Sequence, residues 1–186
     1  MIFSTFIIRR LHLWQATVAC LLAAISCMAL PARAESPFTE YEVKAVFLFN
    51  FVQFVKWPSA SFSDTSTPFV IGILGSDPFG KTLENTLRGE SVEGRKLTLR
   101  RAQRVEDLAG CHVIYVSQSE EGRLGEILNS LRSTTVLTVS DISQFCRQGG
   151  MIGFVIEDGK VRFEIKSGTA KNAGLQISSR LLKLAK

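Results

Sequence analysis

Histidine and cysteine are scarce in this chain of 186 residues: two histidines, His12 and His112, and four cysteines at 20, 27, 111 and 146. A zinc-type metal centre needs three or four such ligands at close spacing, and His112 has no second histidine or x-x-Cys neighbour. His112 stands inside an apolar run, as a core histidine does. The nucleotide fingerprints are missing too. No Gly-x-x-x-x-Gly-Lys-Ser/Thr segment occurs, and no Gly-x-Gly-x-x-Gly follows a strand. Ser117 and Ser119 lack both the Gly-x-Ser-x-Gly elbow and a spare histidine, which leaves nucleophilic hydrolysis without support. The sequence therefore reads as that of a binder and not of an enzyme, with no cofactor.

Charge of one sign is also lacking once it is located. The formal net charge is +5, but residues 1–34 hold Arg9, Arg10 and Arg33 and no acid. The remainder is close to neutral, a poor match to the phosphate backbone of a nucleic acid. Hydrophobic residues make up 46% and charged residues 21%, so the chain has the composition of a folded domain.

Residues 1–34 read as a cleaved signal peptide. Arg9-Arg10 forms a positive n-region, residues 11–30 are mostly apolar, and Pro31 precedes Ala32-Arg33-Ala34, small residues at the cleavage positions. An uncleaved membrane anchor and lipidation at Cys27 are the alternatives. Residues 35–186 follow as a single domain, exported to the periplasm.

Hydrophobic periodicity organises that domain. Residues 41–57 predict a helix ending at Pro58, and twelve of these seventeen positions are apolar. Phe47, Phe51, Phe54 and Trp57 recur at helical spacing and form an aromatic stripe. Either the helix is clamped between a sheet and a neighbouring helix, or the stripe is a partner or dimer contact. Strands are predicted at 69–74, 96–101, 111–116 and 135–139. Helices are predicted at 80–88, from Ser117 or Ser119 through Leu131 behind a capping box, and from Ser140-Asp141 to Cys146. Asp158-Gly159 joins two further strands, 151–157 and 161–166, as a type I′ hairpin. A last helix is predicted over 169–185. This order predicts an α/β three-layer sandwich: a mostly parallel sheet with flanking helices and a C-terminal antiparallel hairpin.

In such a sheet the carboxyl ends of the parallel strands share one rim, where ligand crevices form. Ser76, Asp77, Ser117, Ser119 and Asp141 fall there. They are either a ligand rim or simply helix caps.

Several motifs, in order, carry a resemblance. They are Glu40-Tyr41-x-Val43-Lys44-Ala45-x-Phe47-Leu48-x-Asn50-Phe51-x-x-Phe54-Val55-x-Trp57-Pro58, then Leu74-Gly75-x-Asp77-Pro78-Phe79-Gly80, Cys111-His112-Val113 and the turn Ser117-Gln118-Ser119-Glu120. Leu137-Thr138-Val139-Ser140-Asp141, Gly149-Gly150-Met151-Ile152, Gly159-Lys160-Val161-Arg162-Phe163-Glu164-Ile165 and the closing Ala173-Gly174-Leu175-x-Ile177-Ser178-Ser179 follow. Together they resemble the YfiR family of exported bacterial regulators. The resemblance implies a non-catalytic periplasmic protein. Such a protein binds the periplasmic sensor part of an inner-membrane diguanylate cyclase and represses it, thereby lowering cyclic di-GMP. It also implies a homodimer and release through an outer-membrane lipoprotein. The alternative is a small-ligand binding module coupled to another membrane sensor such as a histidine kinase. Relatives carry more cysteines in this domain, so Cys111 and Cys146 each stand without a mate; whether they bond to each other as a disulfide or redox pair is left open.

Overall fold

The computed structural model describes residues 39–186, so the expected leader at 1–34 lies outside the described residues. Helix α1, Glu40–Phe54, starts with a capping box. The Thr39 hydroxyl accepts from the Glu42 N–H, and the Glu42 carboxylate accepts from the Thr39 N–H at 2.6 Å. The helix ends three residues before Trp57, because Val55–Lys56 (β1) leaves it to pair antiparallel with Gln176–Ile177 (β9).

The main sheet is built from β2 (Phe69–Leu74), β3 (Ser91–Val92), β4 (Arg95–Ala102), β5 (Val113–Val116), β6 (Leu137–Ser140), β7 (Ile152–Glu157) and β8 (Lys160–Ile165). Its order is β3-β4-β2-β5-β6-β7-β8. Strands β4, β2, β5, β6 and β7 are parallel, and β8 returns antiparallel along β7. The β7–β8 turn has positive φ at both Asp158 and Gly159, the I′ geometry expected from the dipeptide. Glu93 and Gly94 also have positive φ, and make the same kind of turn between β3 and β4.

The central strands bury both faces, which is why they read as continuous apolar runs. On one face, Ile71, Ile73, Val113, Tyr115, Leu137 and Val139 pack under α1 and α2 (Lys81–Leu87). On the other, Leu74, Ile114 and Val116 pack with Leu124 and Ile127 of α3 (Leu124–Leu131). The result is the three-layer α/β sandwich expected from the sequence.

Three predicted elements differ. The segment after β5 is a 3-10 turn, Gln118–Arg123, before α3 begins at Leu124, and the Ser117 side chain makes no capping bond. Residues 141–146 form turns in place of a helix. Ser140 holds them, its hydroxyl donating to the Val116 carbonyl (2.7 Å) and accepting from the Ile142 N–H (2.9 Å). The C-terminal segment is not one helix. Gly174, at φ +80°, breaks it into α4 (Ser167–Asn172), β9 and α5 (Ser179–Leu184).

The aromatic stripe of α1 faces inward. Phe51 is fully buried, and Phe47 packs on Phe51, Phe154 and Phe163. Trp57 lies edge-on to Phe69, and Phe54 is half-buried beside Arg180. Of the four residues read as a candidate partner or dimer contact, Phe51 is core, whereas Phe47, Phe54 and Trp57 are partly buried and pack against it. The outer face of α1 carries Val46, which is half exposed, and Gln53.

Cys111 and Cys146 are both free and buried. Cys111 packs against Gly72 of β2 and Cys146 against Gly153 of β7, three strands apart in the sheet. Strands lie about 4.8 Å apart, so the two thiols are far beyond bonding range and the Cys111–Cys146 pairing does not form. Each cysteine instead faces a glycine. A Cβ added at Gly153 would stand 3.3 Å from the Cys146 sulfur, and one added at Gly72 would stand 3.1 Å from the Cys111 sulfur. A disulfide places each Cβ roughly 3 Å from the opposite sulfur. Gly72 is additionally crowded by Leu108, whereas Gly153 has only ordinary contacts besides the sulfur. Gly153→Cys is expected to bond to Cys146 under oxidising conditions and to raise stability by about 2 kcal/mol. Thiol titration and urea unfolding with and without reductant check it.

Candidate functional site

The parallel strands do bring the predicted rim residues to one edge, at the carboxyl ends of β2, β5 and β6. The chain goes from β2 to β4 on one side and then to β5 on the other, so the crevice at the reversal point lies between β2 and β5. This crevice is filled by the chain's own side chains. Gly75 has φ +87°, and a Cβ there would fall 2.5 Å from the Glu120 carboxylate. The Ser119 hydroxyl accepts from the Ser76 N–H (3.0 Å) and donates to Glu120 (3.2 Å). Glu120 is buried and takes the Arg123 guanidinium, which also donates to the Gln103 carbonyl. Gln103 in turn donates its amide to the Gly75 carbonyl at 3.3 Å. Every member of this ring is held by another.

Asp77 closes the next turn. Its Oδ1 accepts from the Phe79 and Gly80 N–H groups, and its Oδ2 pairs with Arg101 at 2.6 Å. Ser117 is buried, and its backbone continues the β2–β5 ladder onto the Leu74 carbonyl. Ser76, Asp77, Ser117 and Ser119 therefore serve the local fold, as turn and ladder residues.

Asp141 differs. It follows β6, its side chain is 4% exposed, and its Oδ2 receives Lys44 Nζ at 2.5 Å and the Tyr41 hydroxyl at 3.0 Å. Lys44 is as deeply buried, and its ammonium also pairs with Glu40 one turn back and sits 4.4 Å from the Tyr41 ring centre. The second oxygen, Oδ1, and the hydroxyl of neighbouring Tyr115 are buried without a hydrogen-bond partner among the described residues. Burial, and then the Asp141 charge, push the Tyr41 phenol up to about 12 and the Tyr115 phenol further still, so both stay neutral. The cluster ties the first turns of α1 to the carboxyl edge of the sheet. Sequence reasoning placed Asp141, and the turn that carries Glu120, on the rim but missed Lys44, Tyr41, Tyr115 and Arg101. The signal for Lys44 was present: it is the one cation in α1, at helical spacing from Leu48 and Phe51 on the buried side of that helix.

The opposite, amino edge carries a hollow of about 480 Å3 between the 58–61 turn and α3, walled in part by Cys111 and His112. His112 acts there as a structural clip. Its Nδ1 accepts from the Val70 N–H (3.1 Å), which leaves Nε2 to donate to the Ser61 carbonyl (3.2 Å). Its ring stacks on Phe62, and its own carbonyl accepts from the Trp57 indole. Burial lowers its pKa and keeps it neutral. Burial likewise raises the Cys111 thiol pKa, so the thiol is not a reactive one. Among the described residues no cluster of three or more His, Cys, Asp or Glu side chains could hold a metal ion.

The molecule so described is an α/β sandwich whose β2–β5 crevice is filled by Glu120 and its Arg123 partner. Comparison with known proteins gives its family. The YfiR/HmsC-like family model matches residues 41–186, and the chain belongs to that family. Among solved structures, a conserved domain protein from Vibrio cholerae O1 biovar eltor superposes with a TM-score of 0.53 at 13% identity. The alignment covers 81% of this chain and 60% of that one, and what it shows is the shared fold. No helix among the described residues is long and apolar enough to cross a membrane.

Two outcomes follow from this chemistry. Lys44→Met strands the Asp141 carboxylate in the interior and is expected to cost about 3–5 kcal/mol, whereas Lys44→Met with Asp141→Leu recovers most of that loss. Urea unfolding of the two variants checks it. Because the folded pKa of His112 lies below the unfolded value of about 6.5, its contribution is intact at neutral pH and is lost as pH falls below about 6.5. His112→Gln is expected to flatten that part of a stability-versus-pH curve.

Proposed function

We propose that this protein is an exported regulator, freed of a signal peptide at residues 1–34, that binds the periplasmic sensor domain of an inner-membrane diguanylate cyclase and holds it inactive. The family match over residues 41–186 carries this reading. The geometry supports it in one respect. The rim where an α/β sandwich ordinarily takes a small molecule is occupied by the Glu120–Arg123 and Asp77–Arg101 pairs, so recognition falls to the outer surface. Repression by a binder requires only differential affinity for the inactive state of the cyclase, with no chemistry of its own. The finer parts of this reading are that the chain has no catalysis, that it works as a homodimer, and that an outer-membrane lipoprotein draws it off the cyclase.

The test is retention of membrane proteins on the immobilised protein, using detergent-solubilised membranes of its own host and mass spectrometry. A retained protein with a periplasmic domain and a cyclase output domain is expected, and deletion of the regulator should then raise cyclic di-GMP. Retention of a histidine kinase in its place would redirect the reading to that class of sensor. Retention of neither would overturn it.

A further inference from the structure

The two edges of the main sheet are treated differently. At the β8 edge the C-terminus returns: the Lys186 N–H donates to the Phe163 carbonyl, and the Lys186 ammonium pairs with Glu157. At the other edge, β3 covers β4 only at Arg95 and Lys96. From Leu97 to Ala102 the outer side of β4 pairs with no strand among the described residues. Its parity is fixed. The Ala102 carbonyl accepts from Gly75 at the end of β2, so even-numbered residues turn their backbone groups inward. Leu97, Leu99 and Arg101 therefore direct N–H and C=O groups outward.

A groove of about 750 Å3 runs along this edge, between β4 and the end of α2, with Leu87, Leu97 and Leu99 in it. Leu97 and Leu99 are only partly buried. Arg88, Lys96, Glu84 and Glu90 also line the groove, Glu84 already paired with Arg101 at 2.8 Å, and Arg100 follows on β4. Arg88, Lys96 and Arg100 make no ion pair among the described residues. Residues 81–104 hold seven Lys or Arg against three Glu, more positive charge than the described chain carries as a whole. An open strand edge beside a helix, with half-buried apolar side chains between them, is the arrangement that accepts an added strand. Basic side chains on an edge also keep like edges apart, which disfavours a second copy of this chain as the occupant. An acidic strand meets Arg88, Lys96 and Arg100 against Glu90, because Glu84 is taken by Arg101.

We propose that the α2–β4 groove binds an extended, acidic segment of a partner protein. The segment adds as a strand to β4, with alternate apolar side chains over Leu97 and Leu99 and carboxylates facing Arg88, Lys96 and Arg100. The proposal rests on the protein-binding reading above and adds to it a surface and a chemistry of recognition.

The experiment uses two synthetic peptides, one alternating valine and glutamate, the other valine and lysine. The acidic peptide is expected to slow amide hydrogen exchange at Leu97, Leu99 and Arg101 and to leave β8 unchanged. The basic peptide is expected to do neither. Lys96→Glu with Arg100→Glu, both exposed positions, should weaken the acidic peptide about tenfold. Lys96→Gln with Arg100→Gln should fall between that variant and the wild type. Unchanged exchange at all three amides, slowing elsewhere only, or equal effects of the two peptides would overturn the proposal. The pull-down separates the two readings. A membrane signalling protein retained equally by wild type and Lys96→Glu/Arg100→Glu, with no peptide effect, leaves the regulator standing and removes the groove. Slowed exchange at β4 with nothing retained from membranes does the reverse.

Discussion

The buried pair of Lys44 and Asp141 is the constraint on which the arrangement of the other layers depends. A helix as apolar as α1 has no polar face to set its rotation about its own axis. Apolar burial is non-directional and would accept several rotations. One ammonium that must reach one carboxylate accepts only one. Lys44 reaches Asp141 when Leu48, Phe51 and Val52 face the sheet, and that places Phe47 against Phe154 and Phe163. Charge thus selects the register, and the aromatic core supplies the stabilisation.

The same logic closes the rim. Strand ends in a parallel sheet gather polar loops at one edge, and those loops need partners as soon as they are buried. Here Glu120 enters the space beside Gly75 and is neutralised by Arg123, while Arg101 reaches across to Asp77. The crevice between β2 and β5 is thereby filled from within the chain.

Much of the fold was legible because it is local. Short apolar runs identified the central strands, alternation marked residues 96–101, and the Asp158-Gly159 pair fixed the hairpin through its φ requirement. The over-long C-terminal helix was a failure of punctuation. Gly174 stands in a stretch of good helix formers, yet its left-handed backbone ends α4 and lets residues 176–177 pair with β1. Ser117 and Glu120 had the spacing of a capping box, but burial of Glu120 against Gly75 and Arg123 competed for the side chain and won. The aromatic stripe was visible; which way it faced was not, because hydrophobicity alone does not distinguish core from contact.

Sequence by itself determined the class of fold, the lack of nucleotide, metal and nucleophile motifs, and the family resemblance. These rest on near-neighbour spacing, which backbone geometry converts directly into faces and turns. Tertiary structure alone decided that Lys44 and Asp141, 97 residues apart, form one pair, that Cys111 and Cys146 face glycines on different strands, and that one sheet edge meets the C-terminus while the other, among the described residues, has no partner strand beyond Lys96. Such contacts depend on strand order and on the direction each chain crossing takes, and residue spacing carries no record of either.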